Sequence, residues 1–387
     1  MIGQLLKGVI ILTSAALMAG CSVGGGSLTG AQDAPTVDIT APELAITERW
    51  STRIGRSETA YHRLEIAAAN DRLYVASAKG KVSALDRHSG ELIWEHDLDV
   101  KVAGGPSVGD GLVVVANQQG QVIALDTEHG SLRWQASVSS EVLAPAAVGQ
   151  GRVVVRTGDG RVFALASATG EQQWLYSRSV PALSLRGHSA PVLVPEGVVA
   201  GFDNGRLSAL DLANGSPVWE STVAVPEGRT DLQRMVDLDA DPVVADGDLF
   251  AGTYQGRLAG INLRNGEIAW ARDISVIGGL AVDSSNIYST DAEGQLWSLD
   301  RSNGASVWRV DALAGLSLTE PALSGEHVVI ASSDGHVSWL NPADGQIQAR
   351  YKVGNARITA PPLVMDEMVY VLDLRGRLKA LTIKTAD

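Results

Sequence analysis

Residues 120–134 read GQVIALDTEHGSLRW. A glycine opens a short apolar run that ends in Ala-Leu-Asp. A second glycine stands ten residues after the first, and a tryptophan four residues after the second. The phrase recurs down the chain. Its first glycine is Gly80, Gly120, Gly160, Gly205, Gly256, Gly294 and Gly335; its second is Gly90, Gly130, Gly170, Gly215, Gly266, Gly304 and Gly345. The tryptophan follows as Trp94, Trp134, Trp174, Trp219, Trp270 and Trp308, and only the seventh copy departs, with Ala349. Upstream, Pro106, Pro145, Pro191, Pro242 and Pro321 lie 14 or 15 residues before the first glycine of their copies.

β-Rich runs such as Leu112–Ala116 (LVVVA) fill the space between proline and glycine. Each copy therefore offers four short strands with turns between them, and a unit of about 40 residues with four strands is the pattern of a propeller blade. The second glycine falls in the turn after the third strand, where a positive φ costs glycine little. The Asp or Asn just upstream (Asp86, Asp126, Asp211, Asn262, Asp300, Asn341) is placed to hydrogen-bond that turn. On the fourth, outermost strand the tryptophan can lie in the crevice between blades, a structural role rather than a row of ligand-stacking rings.

Residues 357–382 supply three more strands in phase, and the chain then stops short of a fourth. An orphan tryptophan strand, ITERWST at 46–52, stands at the other end of the fold. Joined to the last blade it closes the ring without a free edge. The expected fold is all-β: one eight-bladed β-propeller of four-stranded antiparallel blades over 44–387, closed by the N-terminal Trp50 strand.

Composition bounds the function. The 387 residues are 45% hydrophobic and 5% aromatic, enough for a large core, and 42 glycines fit a fold of many tight turns. A net charge of −13 argues against a nucleic-acid partner. With one cysteine, Cys21, no disulfide forms within the chain and no cysteine-based metal or redox site exists.

That cysteine closes a secretory signal: Lys7, an apolar run 9–18, then small residues. The run is shorter than the roughly 20 residues of a spanning helix. Leu17-Met18-Ala19-Gly20-Cys21 resembles the bacterial lipobox, so residues 1–20 are expected to be removed and Cys21 to carry the acyl chains. In lipoprotein sorting, the Ser22 that follows permits export to the outer membrane. Residues 21–43 have the Gly, Ser, Thr and Pro of a flexible tether.

The repeat breaks in one kind of connector, from the tryptophan to the next copy's proline. Ordinary intervals are 11 to 13 residues; Trp174 to Pro191 is 17 and Trp219 to Pro242 is 23. These consecutive connectors lie side by side on one face, and loops on a rigid scaffold are where binding is usually found. The first, SRSVPALSLRGHSAP (177–191), offers Leu183, Leu185 and Arg186; the second, PEGRTDLQRMVDLDADP (226–242), offers Asp237, Asp239 and Asp241 beside Arg229 and Arg234. Apolar anchors and an Arg beside acids suit a polar protein interface with a few hot spots. Equally, the leucines can fold back over the ring, with Arg186 bridging Asp237 or Asp239 in a purely structural role.

A lipobox, a short tether, eight blades of PQQ-like repeats and the loops SLRGHSAP (184–191) and DLDADP (237–242) together resemble the BamB family, lipoprotein subunits of the outer-membrane β-barrel assembly machinery. The resemblance implies a palmitate-bearing, non-enzymatic scaffold on the periplasmic side of a Gram-negative outer membrane. It implies BamA as partner, docked through its POTRA region on Leu183, Leu185, Arg186, Asp237 and Asp239, and through BamA the rest of the BAM complex and nascent outer-membrane proteins. It implies no cofactor.

The alternatives are a PQQ-type propeller enzyme and another ligand-binding envelope propeller. Against an enzyme, one cysteine cannot make the vicinal disulfide typical of quinoprotein dehydrogenases. No Ca²⁺ loop of the D-x-[DN]-x-[DN]-G type occurs, and the seven histidines show no metal-ligand spacing. His188, in the first long connector, reads as a contact or solvated residue rather than a base.

Overall fold

Eight antiparallel sheets follow one another in the computed structural model, which describes residues 43–55, 63–181, 183–184, 189–195 and 197–384. Cys21, the signal segment and the tether to residue 42 lie outside the described residues. Blade 2 shows the plan: Gly104–Gly109 innermost, then Leu112–Ala116, Gln121–Asp126 and Leu132–Ser137 outermost. Blade 1 covers 67–97, blade 3 147–177, blade 4 192–222, blade 5 243–273, blade 6 280–310 and blade 7 322–352. Blade 8 takes three strands from 363–383 and its fourth from Ile46–Arg53, paired antiparallel with Arg377–Ile383. The ring is therefore closed by hydrogen bonds between the two ends of the chain, as the orphan strand implied.

Each blade is covered on both faces by its neighbours, so its two middle strands cannot alternate. Every residue of Leu112–Ala116 is buried, which is why it reads as a continuous apolar run. The outermost strand Leu132–Ser137 has only Trp134 fully buried, because it faces solvent at the rim. The core is divided accordingly into eight clusters, one per seam. The cluster between blades 1 and 2, for example, joins Tyr74, Val82 and Trp94 to Val113, Ile123 and Leu125.

The repeated phrase is the lock of these seams. Each tryptophan lies against the turn glycine of the next blade: a Cβ added to Gly90 would come within 2.5 Å of the Trp50 ring, and Gly130, Gly170, Gly215, Gly266, Gly304 and Gly345 face Trp94, Trp134, Trp174, Trp219, Trp270 and Trp308 in the same way. These glycines have φ between +69° and +75°, so both backbone shape and the ring above exclude a side chain. Each indole N–H then donates to a carbonyl in that next blade, Trp50 to Arg87 at 3.0 Å and Trp174 to Leu212 at 2.9 Å. The Asp of the turn accepts backbone N–H groups, as Asp126 does from Glu128 and His129.

The exception in copy seven has a physical cause. A tryptophan at 349 would need a glycine turn between the third and fourth strands of blade 8, but that turn does not exist, since those strands come from opposite ends of the chain. In the other blades the outer tryptophan pairs with a small residue on the third strand, such as Trp94 with Ala84 and Trp50 with Ala380. In blade 7 the pair is exchanged, Ala349 lying opposite a fully buried Trp339. Leu44 and Ile46, at the start of the closing strand, pack on this cluster.

In every blade but the fifth, where Gly256 meets Thr253 and Ala224, the first glycine lies against the connector to the following blade. Gly120 meets the carbonyls of Val138 and Ser140, and Gly376 those of Ile54 and Gly55. Connectors and first-glycine turns thus share one face of the ring, and both lengthened connectors emerge on it.

Candidate partner-binding face

The lengthened connectors meet each other. Pro181 and Leu183 of the first and Pro226, Asp231 and Arg234 of the second line a shallow cleft of about 260 Å³. The second connector is shaped by its own polar groups. Gln233 Oε1 accepts the N–H of Arg229 at 3.0 Å, and the short 3₁₀ turn Leu232–Arg234 follows with none of its residues buried. Leu183 is 43% exposed, Val225 63% and Leu232 60%, and Val180 stands nearby in the open. Four large apolar side chains held out to water on adjacent loops form a patch with the character of a docking site.

Leu185, Arg186 and His188 lie outside the described residues, and with them the bridge from Arg186 to Asp237 or Asp239. Leu183 is on the exposed patch. Asp237 is not: it is fully buried, in a run from Met235 to Ala240 that turns inward from the exposed part of its loop. The Asp237 carbonyl accepts the N–H of Tyr254 at 2.9 Å. Asp239 is mostly buried, and its Oδ1 has no hydrogen-bond partner among the described residues. The structure therefore separates the three described residues of the five selected from sequence: Leu183 faces outward, while Asp237 and Asp239 face the interior.

That interior holds a charge network which the reading of the repeat missed. Residues Arg63–Leu64 add a parallel strand to the inner edge of blade 2. From there Arg63 reaches the segment that enters blade 5, its Nη1 2.7 Å from Asp241 Oδ1 and its Nη2 3.0 Å from Asp241 Oδ2. The same guanidinium holds Glu65, Nη2 to Oε1 at 2.7 Å. Asp241 Oδ1 also accepts the N–H of Ala190, the end of the first long connector, at 2.6 Å. Arg156 and Asp203 form a second, fully buried ion pair. Burial opposes the charge on Arg63, but Asp241 and Glu65 outweigh it and hold the guanidinium ionised. Burial raises the Glu320 carboxyl well above its usual range, reinforced by Asp241 and Glu65. A signal for this network was available. From Trp50 to Ile66, fourteen residues before Gly80, the interval is 16 residues, a third lengthened connector.

Asp239 makes the network sensitive to pH. Burial first, then the charges of Asp237 and Asp203, push its carboxyl up to about 7, against the opposing pull of Arg156 and Arg63. A carboxyl whose folded pKa exceeds its unfolded value of 3.8 favours the fold only while protonated. Its contribution is fully present below about pH 4 and is lost as pH rises through about 7. Asp239→Asn is expected to raise the melting temperature at pH 8 and to leave it nearly unchanged at pH 4, measured by circular dichroism. An equal shift at both values would place the cause outside this titration.

The family profile described as "Outer membrane protein assembly factor BamB" matches residues 46–117, 78–310 and 304–387. The outer membrane protein assembly factor BamB of Alkalilimnicola ehrlichii is 49% identical over 377 residues, covering 97% of this chain and 96% of that protein. Among solved structures, BamB from Moraxella catarrhalis superposes with a TM-score of 0.81 at 28% identity, covering 87% of this chain and 100% of that one. A quinohemoprotein alcohol dehydrogenase from Comamonas testosteroni superposes with a TM-score of 0.68 at 14% identity, covering 87% of this chain and 76% of that one, a likeness of fold alone. A propeller closed by its N-terminal strand, with two lengthened connectors meeting on one face and matched over nearly its whole length, belongs to the BamB family of outer membrane protein assembly factors.

Proposed function

We propose that this chain is a non-enzymatic scaffold of the outer-membrane β-barrel assembly machinery, tethered by lipid on Cys21 to the periplasmic side of the outer membrane. The exposed apolar patch where the two long connectors meet carries the proposal, because it offers a rigid ring's only paired loop extensions among the described residues to a protein partner. BamA is that partner, through its POTRA region, and brings the rest of the BAM complex and nascent outer-membrane proteins with it. Leu183, Leu185 and Arg186 make the contact. Asp237 and Asp239 act from beneath, holding the second connector in the shape that presents it.

A tagged full-length chain, extracted from membranes in mild detergent, is expected to bring BamA with it, read by mass spectrometry. Recovery of the chain with other envelope proteins and without BamA would overturn the reading. The anchor is tested separately. Cys21→Ala is expected to move the chain from the outer-membrane fraction to the soluble periplasm, and its persistence in the membrane fraction would contradict lipidation at this residue.

A further inference from the structure

The connector face carries a second feature, three blades round the ring from the long loops. Where blade 7 passes to blade 8, residues 352–356 and the turn that follows Asp373 line an open cavity of about 460 Å³. Its polar lining comes from Lys352, Asn355, Asp373, Arg375, Arg377 and Lys379. Arg377 stands directly opposite Arg53 on the closing strand. Like charges opposed on antiparallel strands destabilise the pair, yet here both are arginine.

The cations of this region are poorly neutralised. Lys379 is satisfied, 2.7 Å from Glu48. Arg377 gives Nη1 to the Val353 carbonyl at 3.0 Å, a contact that orients the guanidinium without cancelling its charge. Lys352, Arg375, Arg377 and Arg53 enter no ion pair among the described residues. The one carboxylate of the lining, Asp373, is buried, and its Oδ1 is occupied by the backbone N–H groups of Arg375 and Arg377 at 2.9 Å each. Glu48 acts on Arg377 only through its field, and in a chain of net charge −13 this excess of positive charge is against the general trend.

The shape narrows the class of anion. The groups come from two backbone segments and line one open cavity, so the complement is compact. Arginine forks match phosphate oxygens in pairs, a lysine supplies a point charge, and an amide completes the shell. We infer that the pocket of Lys352, Asn355, Arg375 and Arg377 binds a phosphate group, carried either by a lipid headgroup or by a small soluble phosphate.

The test is calorimetric titration of the full-length lipidated chain in neutral detergent. The probes are inorganic phosphate, short-chain phosphatidylglycerol, short-chain phosphatidylcholine and a glutamate decapeptide. Saturable binding of phosphatidylglycerol or of inorganic phosphate is expected, weakened about tenfold or more in Lys352→Ser/Arg375→Ser. Both residues are exposed, so this variant is expected to keep the wild-type melting temperature. Lys101→Ser, at an exposed lysine of another connector, is expected to bind as wild type. Binding of phosphatidylglycerol without inorganic phosphate would identify a lipid headgroup, and the reverse a soluble phosphate. The inference is overturned if neither saturates, if phosphatidylcholine binds equally, if the double variant binds unchanged, or if the decapeptide competes as well as phosphate, which would assign the face to an acidic protein.

Discussion

Arg63→Ala is expected to destabilise the propeller by about 2–3 kcal/mol, somewhat less than the cost of breaking a fully buried ion pair, because the carboxylates it leaves without their cation are half-buried. One guanidinium here serves two acids: Asp241, at 2.7 and 3.0 Å, and Glu65, at 2.7 Å. Glu320 adds a third acid whose field reaches the same place. Without Arg63 these groups repel one another, and the strand Arg63–Leu64 loses the tie that spans the ring. Arg63→Lys keeps the charge but not the fork and is expected to recover only part of the loss. The penalty of Arg63→Ala is expected to be smaller at pH 5 than at pH 8, since protonation neutralises the abandoned acids. Urea unfolding followed by tryptophan fluorescence measures all three, because the seam tryptophans report separation of the blades. A loss under 1 kcal/mol for Arg63→Ala would show that the network is incidental to stability.

The second large effect is on binding. Leu183→Asp with Leu232→Asp places two charges on the exposed patch and is expected to weaken BamA capture at least about 100-fold, roughly 3 kcal/mol, the range of an interface hot spot. Both side chains are exposed, so the melting temperature should stay within about 2 °C of wild type. Leu185→Ala with Arg186→Ala is expected to act in the same way. Asp237→Ala with Asp239→Ala is expected to abolish capture by a different route. Asp237 is fully buried, so its removal changes the loop that presents the patch, and the lost binding should come with an altered melting temperature while the β-rich dichroism persists. Unchanged capture by all three variants would remove the interface from these loops. Lost capture in the buried pair alone would move it elsewhere on the second connector.

Most of the fold was written in local intervals. The ten residues between glycines place every third-strand turn, and the four to the tryptophan place every seam. These intervals are legible because each concerns a single blade, whose strands are neighbours in sequence and pair as hairpins. Closure was legible too, since a tryptophan strand without a blade and a blade without its last strand can only be complements. The exposed part of the site, around Leu183, was legible as a change of interval.

What the interval could not convey is direction. DLDADP reads as an acidic surface loop, and the alternation Asp237, Asp239, Asp241 gives no hint that it runs inward. It does so because Arg63, 178 residues earlier in the chain, waits there for Asp241. Likewise Ala349 reads as a defect in the repeat, until the closing strand shows that blade 8 has no glycine turn to receive a ring and Trp339 fills the seam from the neighbouring strand. The sequence by itself determined the blade, the number of blades and the place where the ring departs from its pattern, because hairpins depend on residues a few positions apart. Only the tertiary structure decided which charges face the interior and which side chains face a partner, because closing the ring brings together residues that no local spacing relates.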